Sequence, residues 1–325
     1  MSAAPLLLHR DDETHGVDQY ARAVATAVAK LDVEVTYRSA HGLDSSQLAH
    51  VHFTDRLWGS SPERAAERFE RLAARGPVSV TLHDVPQSSD GSRGFPRRTE
   101  CYRRVVQAAA GTVCNSAHEQ RLLEVALGRH VAVHVVPLPA QPPQPRAADW
   151  RPSDEVAVLG FYYPGKGHLE VVEAVAALPV ESRPRVVALG CASSGHEQEL
   201  LDLGRHAAQL GVDFTSTGFL STAERLARSR AVAVPIIAHQ HVSASGSLTD
   251  WLSAGRRPLT VDSDYFREMD AIRPETMHLV RPGHLAEELQ AALMHPESTW
   301  LDEATSTSPS LEEIARAYLS WWAEL

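Results

Sequence analysis

The stretch 231–262 carries the residues best suited to hold a charged ligand. It begins with an apolar strand pattern and continues, after a loop of small residues, into a short helical pattern. The loop contains Ser245, Gly246 and Ser247. Backbone N–H groups at a helix N-terminus favour an anion, so this loop predicts a phosphate site. Asp250, one turn into the helix, can accept hydrogen bonds from a sugar diol; the alternative is a polar loop followed by a surface aspartate.

A second group suited to phosphate is Lys166, which lies between two glycines after a predicted buried strand. Its small neighbours leave the ammonium unobstructed, so the loop predicts a phosphate contact, with a plain surface lysine as the alternative. Another loop, 190–195, has the glycine spacing of a P-loop. His196 and Glu197 stand where that motif needs Lys and Ser/Thr, which excludes it.

The N-terminal half offers a second set of polar candidates. His83 and Asp84 follow a predicted buried strand that begins at Val78. Ligands of open α/β sheets bind at the carboxyl ends of strands, which favours a binding role for His83, with a structural histidine as the alternative. Gly16 opens a helix after the first strand, where a missing Cβ permits either close ligand approach or ordinary turn geometry. Segment 86–98 is polar and predicts a mobile loop that contacts an acceptor or is simply solvated.

The sequence gives little support for a metal or a bound cofactor. The triplet 262–264, Asp-Ser-Asp, is able to hold Mn²⁺ or Mg²⁺, but it lies one strand beyond the predicted phosphate loop and also fits a solvated turn. Cys101, Cys114 and Cys191 show no CxxC spacing, so neither a zinc site nor a disulfide frame is indicated. We predict no metal and no cofactor.

Strand and helix patterns alternate along the chain, which predicts parallel sheets covered by helices. Five of the nine residues in 137–145 are proline, and such a piece is extended and semi-rigid, as a domain linker must be. We therefore predict one α/β domain over 1–140 and a second over 141–308, with a cleft between them. Residues 309–325 include an amphipathic helix with two tryptophans, which predicts docking back on the first domain.

Composition excludes several classes of partner. The chain has 325 residues, of which 43% are hydrophobic, enough to fill two cores. A formal charge of −10 and the absence of a basic run argue against nucleic acid and anionic membranes as partners. No apolar run approaches eighteen residues, so no transmembrane segment is predicted. We expect a soluble protein of the reducing cytoplasm.

Seven segments match a known family in their order and spacing. They are HGVDQYARAVATAV, VSVTLHDVP, VCNSAHEQRLL, VHVVPLP, VLGFYYPGKGHLEVVEAV, STGFLSTAERL and ASGSLTDWLSAGRRPL. Together they resemble a retaining glycosyltransferase of the GT-B fold, in the large sucrose-synthase and mannosyltransferase-like family 4. The resemblance covers nearly the whole chain. It implies two Rossmann-like domains facing a cleft, with the acceptor side on 1–140, the nucleotide-sugar on 141–308, and the C-terminal helix crossing back to the first domain.

The resemblance also implies roles for individual residues. Gly16 lies in the loop that approaches the donor phosphates, and His83 is the histidine near the transferred sugar. Lys166 contacts the diphosphate, and the amides of 245–247 bind its distal phosphate. Asp250 matches the second acid of the family's Glu-x7-Glu motif, which holds the ribose of the nucleotide. Further contacts to the sugar or the acceptor are expected from His15, Asp84 and His241.

Three positions depart from the family pattern. Phe161 stands where the family has an arginine, Val242 where it has the first glutamate of the acid pair, and His15 where it has the first glycine of a pair. Neutralisation of the diphosphate then falls to Lys166, to helix dipoles and to the histidines of 239–241.

Two functions follow from this pattern. The first is a hexosyltransferase that moves a sugar from an NDP-sugar donor to a hydroxyl acceptor, with retention and without a metal. Its main catalytic demand is to stabilise negative charge on the β-phosphate as the glycosidic bond breaks. The second is a catalytically inactive GT-B protein that binds a nucleotide or partners an active transferase. Nucleotide binding and turnover distinguish the two.

Overall fold

The computed structural model describes residues 4–10, 12, 15–40, 47–143 and 145–325. Contacts between residues divide the chain into two compact units. The first unit comprises Met1–Pro139 and Pro309–Leu325, and the second comprises Ala140–Ser308.

The first unit is built on a six-stranded sheet in the order β2-β1-β3-β4-β5-β6, with every pairing parallel. Its strands are β1 (Leu6–His9), β2 (Tyr37–Ser39), β3 (Ala49–Phe53), β4 (Val78–Leu82), β5 (Gly111–Cys114) and β6 (His134–Val135). Strands β3 and β4 alternate between apolar residues, which join one hydrophobic core, and polar residues on the opposite face. Both faces are buried, so the polar face has to find its hydrogen bonds inside the protein.

The helices of this unit cover the sheet, and one of them begins earlier in the chain than the sequence patterns predict. They are α1 (Gly16–Ala29), α2 (Asp55–Trp58), α3 (Pro62–Ala73), α4 (Gly91–Ala108) and α5 (Ala117–Leu127). Helix α4 begins at Gly91, so most of the predicted loop 86–98 is helical and that prediction is wrong. Pro96 lies within the first two turns of the helix. Arg98 anchors these turns through bonds to the carboxylates of Asp55 and Asp90.

The second unit has its own six-stranded parallel sheet in the order β12-β11-β10-β7-β8-β9. Its strands are β7 (Glu155–Leu159), β8 (Arg185–Leu189), β9 (Phe214–Ser216), β10 (Val234–Ile237), β11 (Leu259–Val261) and β12 (His278–Val280). Its helices are α6 (His168–Ala176), α7 (Glu197–Gln209), α8 (Thr222–Ala231), α9 (Gly246–Ser253), α10 (Asp264–Ile272) and α11 (Leu285–Met294). Strand β7 consists entirely of buried residues, as expected for the interior of a helix-covered parallel sheet.

The C-terminal helix α12 (Leu311–Trp322) packs on α1 and the first sheet. Its buried face carries Ile314, Tyr318 and both tryptophans, and the Tyr318 hydroxyl lies 2.8 Å from Thr81 Oγ1 of β4. The predicted fold class, two Rossmann-like α/β domains with this helix returning to the first, is confirmed. In the described part of the chain, no helix has the length and apolar character needed to cross a membrane.

Candidate functional site

The loops after β7 and β10 are neighbours in the second unit. These strands pair in parallel, with Pro235 opposite Ala157, so their carboxyl ends meet at one edge of the sheet. The loop after β7 leads to α6 and contains Gly167, whose φ is +102°. A Cβ on Gly167 would lie 2.5 Å from the Ala238 backbone, so the close approach of the two loops requires glycine there. This packing brings Lys166 to the start of α9.

Lys166 is buried, with 7% of its surface exposed. Its Nζ donates one hydrogen bond, to Ser247 Oγ at 3.2 Å. No ion pair to Lys166 is found among the described residues. Burial lowers the pKa of Lys166 to about 8, while the charge of Asp250 acts in the opposite direction. An ammonium has three donors, so this one retains donors for an anionic ligand.

The first turn of α9 presents two open amides. Ser245 caps the helix, since its Oγ accepts from Leu248 N at 3.3 Å, and its own amide donates to the hydroxyl of Tyr265 at 3.0 Å. The amides of Gly246 and Ser247 have no recorded partner within the described ranges. A Cβ on Gly246 would meet nothing within 4 Å. Of the three amides predicted to bind a phosphate, the Ser245 amide is therefore already used, and the other two are open.

Asp250 lies on α9 beside a cation from another helix. Its carboxylate is 39% exposed, and its Oδ2 lies 3.6 Å from Nε of Arg225 on α8. Burial raises the pKa of Asp250, whereas the charges of Arg225 and Lys166 lower it. Sequence reasoning missed Arg225 because a single arginine on an amphipathic helix carries no motif.

Two histidines lie close to Lys166 without hydrogen bonds. His168, in the first turn of α6, and His239, after β10, are 1% and 6% exposed. None of their four ring nitrogens has a partner in the part of the chain that the structure describes. Burial, reinforced by the charge of Lys166, lowers the pKa of both. Sequence reasoning named His239 as an auxiliary group and missed His168. His241 is exposed, with its Cδ2 3.9 Å from the position of a Cβ built on Gly165.

Two of the departures from the family pattern also lie at this edge of the sheet. Phe161 follows β7 and is 44% exposed. Val242 is buried and joins an apolar cluster that includes Trp251 and Leu248. A packed valine thus occupies the position to which the sequence resemblance assigns a carboxylate.

In the first unit, His83 is engaged on both sides of its ring. Its Nε2 lies 3.1 Å from His52 Nδ1, and its Nδ1 lies 3.3 Å from Asn115 Nδ2. Asn115 Nδ2 also donates to the Leu82 carbonyl, which fixes the orientation of the amide. Burial lowers the pKa of His83 to about 3. His83 therefore has no free ring nitrogen for the predicted contact with a sugar. Sequence reasoning placed His52 on its strand without assigning it this role.

Asp84 follows the end of β4 and has a backbone conformation that residues other than glycine rarely adopt. Its φ is +52°, and its carboxylate is 50% exposed. Arg98 Nη2 bonds to both the carbonyl and Oδ2 of Asp84, the latter at 3.0 Å, and the Tyr102 hydroxyl donates to the same carbonyl at 3.1 Å. These bonds hold a left-handed conformation whose strain is typical of functional sites.

His15 and Gly16 lie at the start of α1. His15 caps the helix, with Nδ1 accepting from Val17 N at 3.2 Å. Burial lowers the pKa of His15, opposed by the charges of neighbouring carboxylates that include Asp84. The start of α1 and the end of β4 therefore lie close together. A Cβ on Gly16 would meet nothing within 4 Å, so packing does not require glycine there.

The carboxylates of the triplet 262–264 are paired with an arginine. Asp262 Oδ2 and Asp264 Oδ1 lie 2.7 Å and 3.3 Å from Arg267 nitrogens, while Ser263 caps α10. Among the described residues, no three His, Cys, Asp or Glu side chains form a group that could hold a metal ion.

No protein-family model matches the sequence, and no curated protein matches it either. Its fold is similar to solved structures of GT-B glycosyltransferases. Alr3699/HepE of Anabaena, solved in complex with UDP and glucose, matches with a TM-score of 0.74 over 100% of both chains at 14% identity. The sucrose-phosphate synthase tll1590 from Thermosynechococcus elongatus matches with a TM-score of 0.66 over 99% of this chain and 93% of its own, at 15% identity. A TarM variant from S. aureus, in complex with fondaparinux, alpha-GlcNAc-glycerol and UDP, has a TM-score of 0.61 over 93% of this chain and 58% of its own, at 11% identity.

Proposed function

We propose that this protein is a glycosyltransferase that moves a sugar from a nucleoside-diphosphate sugar to a hydroxyl acceptor. The observation that carries the proposal is Lys166, a buried ammonium with one hydroxyl partner beside the open amides of Gly246 and Ser247. A buried cation without a counter-ion is costly, and a bound diphosphate would supply the missing charge. The similar folds solved with UDP or UDP-glucose support a nucleotide-sugar as that ligand.

In this proposal the second unit stabilises the leaving group. As the glycosidic bond breaks, negative charge grows on the β-phosphate, where Lys166 and the α9 amides act as preorganised donors. Asp250 accepts hydrogen bonds from the ribose hydroxyls. Positive charge from Lys166 and the helix dipole serves the role that a metal has in other transferases, so we propose a reaction without a metal and without a cofactor.

The first unit is assigned the sugar and acceptor contacts. Asp84 offers an exposed carboxylate and His15 a ring whose Nε2 is not used in capping, while Gly16 leaves its backbone open. The sequence resemblance further motivates membership of family 4, a hexose as the transferred sugar, retention of the anomeric configuration and a cytoplasmic location.

The test is nucleotide binding and turnover. Calorimetry with UDP, GDP, ADP and dTDP identifies the base, and product release from the corresponding NDP-sugars measures turnover. We expect Lys166→Ala to slow turnover about a hundred-fold, the usual scale for one preorganised donor. Lys166→Arg should recover little of the turnover, because a planar guanidinium group does not replace a compact ammonium in a tight loop. The chain's only other lysine, Lys30, provides the control, since Lys30→Ala should change nothing.

If Lys166→Ala keeps the wild-type rate and nucleotide affinity within about two-fold, the loop that contains Lys166 is not part of the diphosphate site.

A second candidate function is a nucleotide-binding GT-B protein without turnover. The specific observation in its favour is Val242, packed among apolar side chains where the family motif has an acid. This candidate predicts binding of a nucleoside diphosphate with no release of product from any NDP-sugar. Failure of all four nucleotides to bind would contradict both candidates.

A further inference from the structure

His168 and His239 are not explained by the proposed function. Two buried histidines with none of their four ring nitrogens bonded, within the described residues, are unusual, because buried polar side chains nearly always find partners. Each unsatisfied group lowers stability. Both histidines lie close enough to Lys166 for its charge to lower their pKa values.

Their positions differ in a way that singles out His239. His168 belongs to the first turn of α6, where its ring packs on Tyr162 at a centroid distance of 5.1 Å. His239 lies in the loop between β10 and α9, the same loop that ends in the open amides. Its ring faces Phe266 of α10 at 6.0 Å, and its neighbour Ala238 packs against Gly167. His239 therefore lies between the Lys166 loop and α10.

The charges around His239 keep it neutral in the free protein. The titratable groups that act on it are Lys166, from the loop before α6, and His168 of α6, while α10 contributes the uncharged Phe266. Both titratable groups are basic, so they reinforce the effect of burial. Asp250 acts on Lys166 but is also paired with Arg225. An anion bound at Lys166 would reverse the balance around His239.

We propose that His239 is a second cationic group of the diphosphate site, neutral in the free protein and protonated when a nucleoside diphosphate is bound. The inference rests on the proposed function, since it requires the diphosphate at Lys166. The proton comes from solvent, and no covalent bond forms or breaks. Its effect on the phosphate acts through the poorly screened interior and needs no direct contact.

The experiment counts protons taken up on binding. UDP is titrated calorimetrically at pH 7.5 in buffers of different ionisation enthalpy, and the dependence of the observed enthalpy on buffer gives the number of protons. Lys166, with a pKa of about 8, is mostly protonated already and contributes about a quarter of a proton. We expect the wild type to take up about one proton and His239→Gln to take up only the Lys166 share, with UDP affinity reduced about ten-fold.

His168→Gln is the matched control, because it removes an equally buried histidine with the same unbonded nitrogens, and it should leave the proton count unchanged. Three results would each overturn the inference. The wild type could take up only the Lys166 share of a proton, His239→Gln could take up as much as the wild type, or His168→Gln could lose the uptake. If His239→Gln does not fold, ¹⁵N resonances of the histidine rings report protonation in the wild type with and without UDP. Binding of UDP with uptake confined to the Lys166 share contradicts this inference alone, whereas failure of UDP, GDP, ADP and dTDP alike to bind contradicts the proposed diphosphate site as well.

Discussion

Both sheets bury polar side chains, but the two units differ in how many hydrogen bonds these side chains make. In the first unit, His50 Nδ1 bonds to Ser79 Oγ at 2.9 Å and its Nε2 to Thr81 Oγ1 at 3.1 Å. His52 and His83 bond to each other. Three buried histidines there are held by neighbours on adjacent strands, as an interior polar layer requires.

At the carboxyl edge of the second sheet, Lys166, His168 and His239 make a single side-chain hydrogen bond to any described residue, from Lys166 to Ser247. This is not a general property of that unit. Arg256, fully buried in the same unit, donates through Nε, Nη1 and Nη2 to main-chain carbonyls and to Thr299 Oγ1.

The difference separates two uses of a buried polar group. A group whose hydrogen bonds are all made inside the protein stabilises the fold, whereas a group left without them lowers stability and remains able to bind something else. This criterion predicts that Arg256 and the histidines of the first sheet are structural, and that the Lys166 cluster binds the proposed ligand. The comparison is open to direct tests.

The largest expected effect is on stability when Arg256 is replaced. Arg256→Met removes the guanidinium donor from the carbonyls of Ser229 and Val232 and one of the two donors to the Ala233 carbonyl, so we expect a loss of about 3 to 5 kcal/mol in the free energy of unfolding. The matched variant is Lys166→Met, which removes a buried cation of similar length but only one hydrogen bond, to a hydroxyl that keeps Ser245 Oγ as a partner. It should leave the free energy unchanged or raise it. Urea denaturation of the two variants measures both, and equal losses would contradict the distinction.

The second effect concerns pH. Lys166 has a pKa of about 8 in the folded protein and an ordinary value of 10.5 when unfolded. Between these values the unfolded chain holds a proton that the folded chain has released, so stability rises with pH across that window. The gain is about 3 kcal/mol over the whole window and is absent below pH 8.

This gain is measured as the difference in unfolding free energy between the wild type and Lys166→Met from pH 7 to 10.5. Other groups that titrate in this range are common to both proteins, so their effects cancel. A difference that stays constant with pH would show that Lys166 is solvated.

The sequence predicted the elements in which several site residues lie, because local patterns indicate those elements. It did not predict which of these residues contact each other. The strand, small-residue loop and helix pattern placed Ser245 at the start of a helix and Lys166 in a βα loop, because hydrophobic periodicity and glycine positions are local properties. That Lys166 meets Ser247 depends on β10 pairing with β7, and strand order is not encoded locally.

The missed features are tertiary for the same reason. Gly91, Gly94 and the polar character of segment 86–98 favoured a loop, but the carboxylates that hold Arg98 come from three separate segments and stabilise a helix instead. The pairing of His52 with His83 joins residues 31 positions apart, one on β3 and the other immediately after β4.

A third test asks whether His83 is structural. His83→Asn removes the partner of His52 Nδ1 inside the sheet, so we expect a loss of about 1 to 3 kcal/mol in unfolding free energy, with UDP affinity unchanged. His239→Gln, which breaks no recorded hydrogen bond, should cost less than about 1 kcal/mol. Thermal unfolding and UDP titration of both variants make the comparison. Normal stability with slowed turnover in His83→Asn would instead favour the sugar contact that the sequence resemblance implies.

The smallest effect on stability is expected at Gly246, where stability and binding should change in opposite directions. Alanine has a higher helix propensity, and the added Cβ meets nothing within 4 Å, so Gly246→Ala should stabilise by about 0.5 kcal/mol or less. The same methyl group occupies the space above the open amides of α9, so UDP affinity should fall at least about ten-fold if a phosphate seats there. Gly94→Ala is the control, because Gly94 also lies in a helix with room for a Cβ, 3.5 Å from Asp90 Cβ, but in the first unit. It should gain similar stability and keep full affinity. Unchanged UDP binding in Gly246→Ala would mean that the open amides are simply solvated, and the Lys166 cluster would then need a ligand other than a phosphate at this helix.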